Sequence, residues 1–148
     1  MMPQDIRLLL VDDEVDFLEA MAPGLARRGF RISIARTGQA ALDLLAREPV
    51  DVVVLDVKMP GKDGVETFRE IKRIAPGLPV ILLTGHGSIP QAFQTSREGV
   101  ADYLAKPCDV QRLTDVVRQV VAASGARRAR EDEGGQALAD QILSQRPD

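Results

Sequence analysis

Apolar residues in this chain follow two alternating patterns, short continuous runs and longer stripes at helical spacing. The most uniform run, Val52-Val53-Val54-Leu55, lies between Asp51 and Asp56. Its β-branched character predicts a strand buried on both faces of a parallel sheet. Ile6 to Val11 predicts a first strand, which ends in Asp12-Asp13-Glu14. Val15, Leu18, Met21 and Leu25 then recur at helical spacing, with Gly29 as a C-terminal stop and Pro23 as an expected kink or early break. Phe30 to Ala35 alternates apolar and polar, as a strand covered less completely at a sheet edge would. Thr37-Gly38 opens a second helix with Ala40, Ala41, Leu44 and Leu45 on its apolar side, and Pro49 bars it from running into the strand after Asp51.

The second half repeats the scheme. After the turn-forming stretch Pro60-Gly61-Lys62-Asp63-Gly64, Val65, Phe68, Ile71 and Ile74 form a third helical stripe, ended by Pro76-Gly77. Pro79 to Thr84 is a fourth buried strand. Gly85-His86-Gly87 is its loop, and Ser88 with Pro90 suits the cap and first turn of a fourth helix. Ala101 to Ala105 is a short fifth strand, followed by Lys106-Pro107. Asp109 caps a fifth helix bearing Leu113, Val116, Val117, Val120 and Val121. Five strands alternating with five helices call for an α/β fold, a doubly wound parallel sheet covered on both faces.

Composition narrows the class. A chain of 148 residues with 45% apolar and 28% charged residues suits one globular domain, here residues 1–123. Residues 124–148 differ. Arg127, Arg128 and Arg130 face Glu131, Asp132 and Glu133, and Gly134-Gly135 then interrupts the pattern, so this charged tail is expected to be disordered or to form a short helix. A net charge of -3 offers no general attraction to nucleic acid or an anionic membrane. The single cysteine, Cys108, excludes an intrachain disulfide and suits a reducing compartment. With no signal-peptide pattern and no apolar run of membrane-spanning length, a cytoplasmic location is expected.

The strand ends carry the chemistry. Asp12 and Asp13, Asp56, Thr84 and Lys106 each close a strand, and in a doubly wound sheet those carboxyl ends converge on one crevice. Three carboxylates held together repel and raise one another's pKa unless a cation offsets them. A hard, oxygen-seeking ion such as Mg²⁺ suits that need. A carboxylate nucleophile beside a metal, an ammonium and a hydroxyl is equipped to accept a phosphoryl group as an aspartyl phosphate.

The set Asp12-Asp13, Asp56, Thr84-Gly85, Tyr103 and Lys106-Pro107 resembles the receiver domain of two-component response regulators, over roughly residues 5 to 123. That resemblance implies a flavodoxin-like (βα)5 fold with strand order 2-1-3-4-5. It implies that Asp56 is the phosphoacceptor of a histidine kinase or phosphotransfer protein. Asp13 would bind Mg²⁺ directly, Asp12 through a metal-bound water, and Asp56 and the backbone carbonyl of Lys58 would complete the protein's ligands. Lys106 would pair with the phosphoryl oxygens, and the Lys106–Pro107 peptide bond would be cis. Thr84 and Tyr103 would form a switch that alters the face made by the fourth helix, fifth strand and fifth helix. Gly85 would leave the crevice open to the donor imidazole.

Other readings of these residues are blander. Tyr103 also suits a half-buried core position, His86 is expected to take no direct part, Cys108 to be inert, and the Lys58 side chain to be solvated at the site mouth. A phosphatase of the haloacid-dehalogenase type also uses an Asp nucleophile and Mg²⁺, but it carries a second acid where this chain has Lys58. A pseudo-receiver acting as a binding module is opposed by the intact Asp56, Thr84 and Lys106. A stand-alone receiver that works by protein contact is the preferred reading of the short tail, possible as a phosphorylation-dependent homodimer and without direct nucleic-acid binding. The alternative is a receiver from a longer transcriptional regulator or hybrid kinase, to which Leu83-Thr84-Gly85-His86-Gly87 points.

Overall fold

A computed structural model describes residues 5–58, 64–85 and 100–125. Five parallel strands form one sheet in the order β2-β1-β3-β4-β5. They are β1 (Arg7–Val11), β2 (Arg31–Ala35), β3 (Val52–Asp56), β4 (Val80–Gly85) and β5 (Val100–Lys106). Helices α1 (Val15–Arg27), α2 (Gly38–Arg47) and α3 (Gly64–Ile74) connect them, and a C-terminal helix spans residues 110–125. This is the flavodoxin-like arrangement, with β3 at the centre and buried along its whole length.

Side chains of each strand alternate between two hydrophobic layers. Leu8, Leu10, Val52, Val54, Ile81 and Leu83 pack with α1 and the C-terminal helix. Leu9, Val11, Val53, Leu55, Val80 and Leu82 pack with α2 and α3. Continuous apolar runs are what such two-sided burial requires, because every position faces one layer or the other. β2 lies at an edge and is the partly exposed strand that its alternation predicts.

Local signals fix the element ends. Thr37 caps α2 by accepting the Ala40 N–H at Oγ1, at 3.0 Å. Asp109 does the same for the last helix through the Arg112 N–H, at 2.7 Å. Gly29 ends α1 with φ of 96°, a conformation that costs glycine least. The break expected at Pro23 does not occur, and α1 runs through it. Pro23 is on the exposed face, where water can satisfy the carbonyl whose hydrogen bond is lost, while Met21, Gly24 and Leu25 bury the opposite face. Three stripe positions also depart from expectation: Val15 and Ile74 are 39% and 50% exposed, and Ala40 is exposed. They lie in the first or last turn of their helices. The helix predicted after Ser88, with His86, and the tail beyond residue 125 lie outside the described residues.

Candidate functional site

Strand register places the polar groups at one edge. Val11 pairs with Ala35 and Leu55, so Asp12 leaves β1 beside the end of β3. Asp56 pairs with Leu83, one residue before Thr84, and Gly85 pairs with Lys106. Four segments distant in sequence thus end together, as expected for Asp12, Asp13, Asp56, Thr84 and Lys106. The cleft they border holds about 390 Å³ and is lined by Glu14, Phe17, Asp56, Lys58, Gly85, Lys106 and Pro107.

Asp12 is fully buried and Asp56 nearly so. Asp12 Oδ1 accepts the Glu14 N–H at 2.9 Å, and Asp56 Oδ1 accepts the Lys58 N–H at 3.0 Å. Each carboxylate therefore organises the loop after its own strand. Their second oxygens share one cation. Lys106 Nζ forms an ion pair with Asp12 Oδ2 at 2.6 Å and donates to Asp56 Oδ2 at 3.4 Å. It also donates to Glu14 Oε1 at 2.6 Å and stands 4.4 Å from the centre of the Phe17 ring. The Lys106–Pro107 peptide bond is cis.

The electrostatics arise from burial and charge. Loss of water raises the Asp56 carboxyl to about 6, the nearby Asp12 charge adds to the rise, and the Lys58 N–H and Lys106 oppose it. For Lys106, burial alone would favour the neutral amine. Close contact with Asp12 and hydrogen bonding to Glu14, with the charges of Asp56 and Asp12, reverse this and raise its pKa. The ammonium is therefore held firmly charged. Burial, aided by Asp109, raises the Cys108 thiol, which suits an inert residue.

One ammonium does not neutralise this acidic group. Asp12, Asp13 and Asp56 offer oxygens that all lie within 4.8 Å of one another, an all-oxygen donor set suited to a hard divalent cation. Thr84 is buried, and its hydroxyl donates to the Leu104 carbonyl at 3.4 Å. Tyr103 is half-buried against the layer containing Val80 and Leu82. Glu14 and Phe17 are contacts of Lys106 that sequence reasoning did not assign. Glu14 adjoins the acidic pair, but its meeting with a residue 92 positions away depends on the register of the sheet.

Residues 8–118 match the response regulator receiver domain family. The chain is 40% identical over 124 residues to the transcriptional regulatory protein GlrR of Escherichia coli K12, covering 81% of this chain and 28% of that protein. It is 39% identical over 112 residues to the C4-dicarboxylate transport transcriptional regulatory protein DctD of Rhizobium meliloti, covering 76% of this chain and 24% of that one. The chain thus spans less than a third of the curated relatives described here. Among solved structures, NtrX of Brucella abortus superposes with a TM-score of 0.79 at 33% identity, over 85% of this chain and 29% of its own. A response regulator receiver domain protein of Clostridium thermocellum superposes with a TM-score of 0.75 at 32% identity, over 82% of this chain and 98% of its own. With the sheet order, the strand-end cluster and these likenesses in agreement, the chain belongs to the response regulator receiver domain family of two-component signalling.

Proposed function

We propose that Asp56 accepts a phosphoryl group from a phosphohistidine of a partner kinase or phosphotransfer protein. The supporting observation is a buried carboxylate at the end of the central strand, sharing an ammonium with Asp12 at the floor of an open cleft. In the transfer, a P–O bond to an Asp56 oxygen forms as the P–N bond breaks, and the imidazole leaves with the electron pair. The Lys58 N–H orients the carboxylate through Oδ1. Lys106 presents positive charge to the transferred oxygens, which is the main protein contribution that such a transfer needs. Asp12, Asp13, Asp56 and the Lys58 carbonyl would hold Mg²⁺, which when bound offsets charge on the phosphoryl oxygens.

The relatives' names bear on the output. GlrR and DctD are transcriptional regulatory proteins much longer than this chain, which favours a receiver working within a longer transcriptional regulator over the stand-alone reading. Thr84 and Tyr103 would transmit the state of Asp56: the hydroxyl leaves the Leu104 carbonyl for the phosphoryl group, and the Tyr103 ring moves after it.

Acetyl phosphate with Mg²⁺ tests the acceptor, read as retarded migration on a Phos-tag gel. The wild type should shift and Asp56→Ala should not. An equal shift in Asp56→Ala would place the phosphoryl group elsewhere.

A further inference from the structure

We propose that Glu14 is a positioning residue that occupies one donor of Lys106 in the resting protein and must release it when Asp56 is phosphorylated. This rests on the acceptor role proposed for Asp56. An ammonium has three N–H donors and no acceptor. Lys106 Nζ faces three carboxylates, Asp12 and Glu14 at 2.6 Å and Asp56 at 3.4 Å. Its single charge is therefore already shared among three carboxylates, and the longest contact is the one to the proposed acceptor. A phosphoryl group on Asp56 brings additional anionic oxygens, so one existing partner has to yield.

The three partners differ in what release costs. The Asp12 side chain is fully buried, and leaving a buried carboxylate without its cation is strongly unfavourable. Asp56 carries the incoming group. The Glu14 side chain is 61% exposed, so water can take over when the ammonium leaves. Its backbone, held by Asp12 Oδ1, keeps the carboxylate at the cleft mouth. Lys106 in turn is anchored over Phe17, so it can shift between carboxylates without leaving the cleft. Glu14 thus competes with the phosphoryl group for the same cation.

Glu14→Gln tests this by keeping the side-chain size while removing the competing charge. Asp16→Asn is the control: Asp16 lies in the first turn of α1, is exposed, and has the same charge two residues away. At saturating Mg²⁺, Glu14→Gln should raise the rate of phosphorylation by acetyl phosphate about two- to fivefold, the range an exposed ion pair allows. Asp16→Asn should leave it unchanged. The Lys106 side-chain NMR resonances should also move in metal-free Glu14→Gln and stay in place in Asp16→Asn. Equal rates with unmoved Lys106 resonances in Glu14→Gln would overturn the role of Glu14 while leaving the acceptor reading intact. Equal acceleration in both variants would reduce the effect to general charge and also overturn it. Absence of phosphorylation in the wild type would defeat the acceptor reading and this inference together.

Discussion

The central strand has an aspartate at each end, and the two live in opposite circumstances. Asp51, just before β3, takes the Arg7 backbone N–H at 2.8 Å, Arg7 Nε at 3.1 Å and Arg7 Nη2 at 3.0 Å. Both its oxygens are matched by a planar donor fork, the geometry in which arginine and carboxylate bind best. Asp51 raises the Arg7 pKa in return, first by hydrogen bonding and then by charge. Asp56 has one backbone donor and a distant share of an ammonium that two other carboxylates hold more closely. One carboxylate is satisfied and fastens β1 to β3. The other is buried, incompletely paired and raised to about 6, the condition expected where chemistry takes place.

Neutralising each end should separate the two roles. Asp56→Asn should abolish phosphorylation and, in metal-free buffer at neutral pH, stabilise the protein by about 3 kcal/mol, the free energy represented by a carboxyl raised from 3.8 to about 6. The sign comes from linkage: a carboxyl raised in the folded state favours folding when protonated. Its contribution is full below the ordinary value of 3.8 and is lost as pH rises through about 6. Urea denaturation across that range should show a steeper loss of stability in the wild type than in Asp56→Asn. Parallel curves would mean that Asp56 is not strained by burial.

Gly64→Ala should give the next largest effect. A Cβ there would lie 2.5 Å from the Val57 Cα and 2.7 Å from its carbonyl oxygen, so the start of α3 would be driven from the segment just after Asp56. Overpacking against backbone costs about 1–3 kcal/mol, and thermal denaturation should register the loss. An unchanged melting temperature would show that this contact yields easily. Asp51→Ala should cost the least, about 1 kcal/mol, because the Arg7 side chain is 42% exposed and water replaces much of the pairing. It should leave phosphorylation by acetyl phosphate within about twofold of wild type, and a larger loss would remove the distinction between the two strand ends.

Much of this contrast is legible in the chain itself. Val52 to Leu55 suits a strand covered on both faces, so whatever closes it is expected at the sheet edge. The same logic places Asp12 and Thr84, because each ends an apolar run, whereas Lys106 follows the shorter stretch Ala101 to Ala105, which Asp102 interrupts. Helical stripes are less faithful guides. Val15 and Ile74 keep the apolar spacing yet remain exposed at the first and last positions of their helices, since periodicity records direction around a helix and not how far along it the packing extends. The Glu14–Lys106 contact was hidden for another reason. It needs the ends of β1 and β5 to be brought within reach across β3 and β4, and that distance is set by pairing order and register.

That same order has a consequence for how the protein is made. Lys106 closes β5, the last of the described strands to leave the ribosome, whereas Asp12, Glu14 and Asp56 are made much earlier. A nascent chain ending before β5 gathers these acids without the ammonium that they share, and like charges at such separations oppose compaction. Completion of the sheet and arrival of the shared ammonium therefore come in one step, so a half-made chain lacks both the cation and the cleft that it borders.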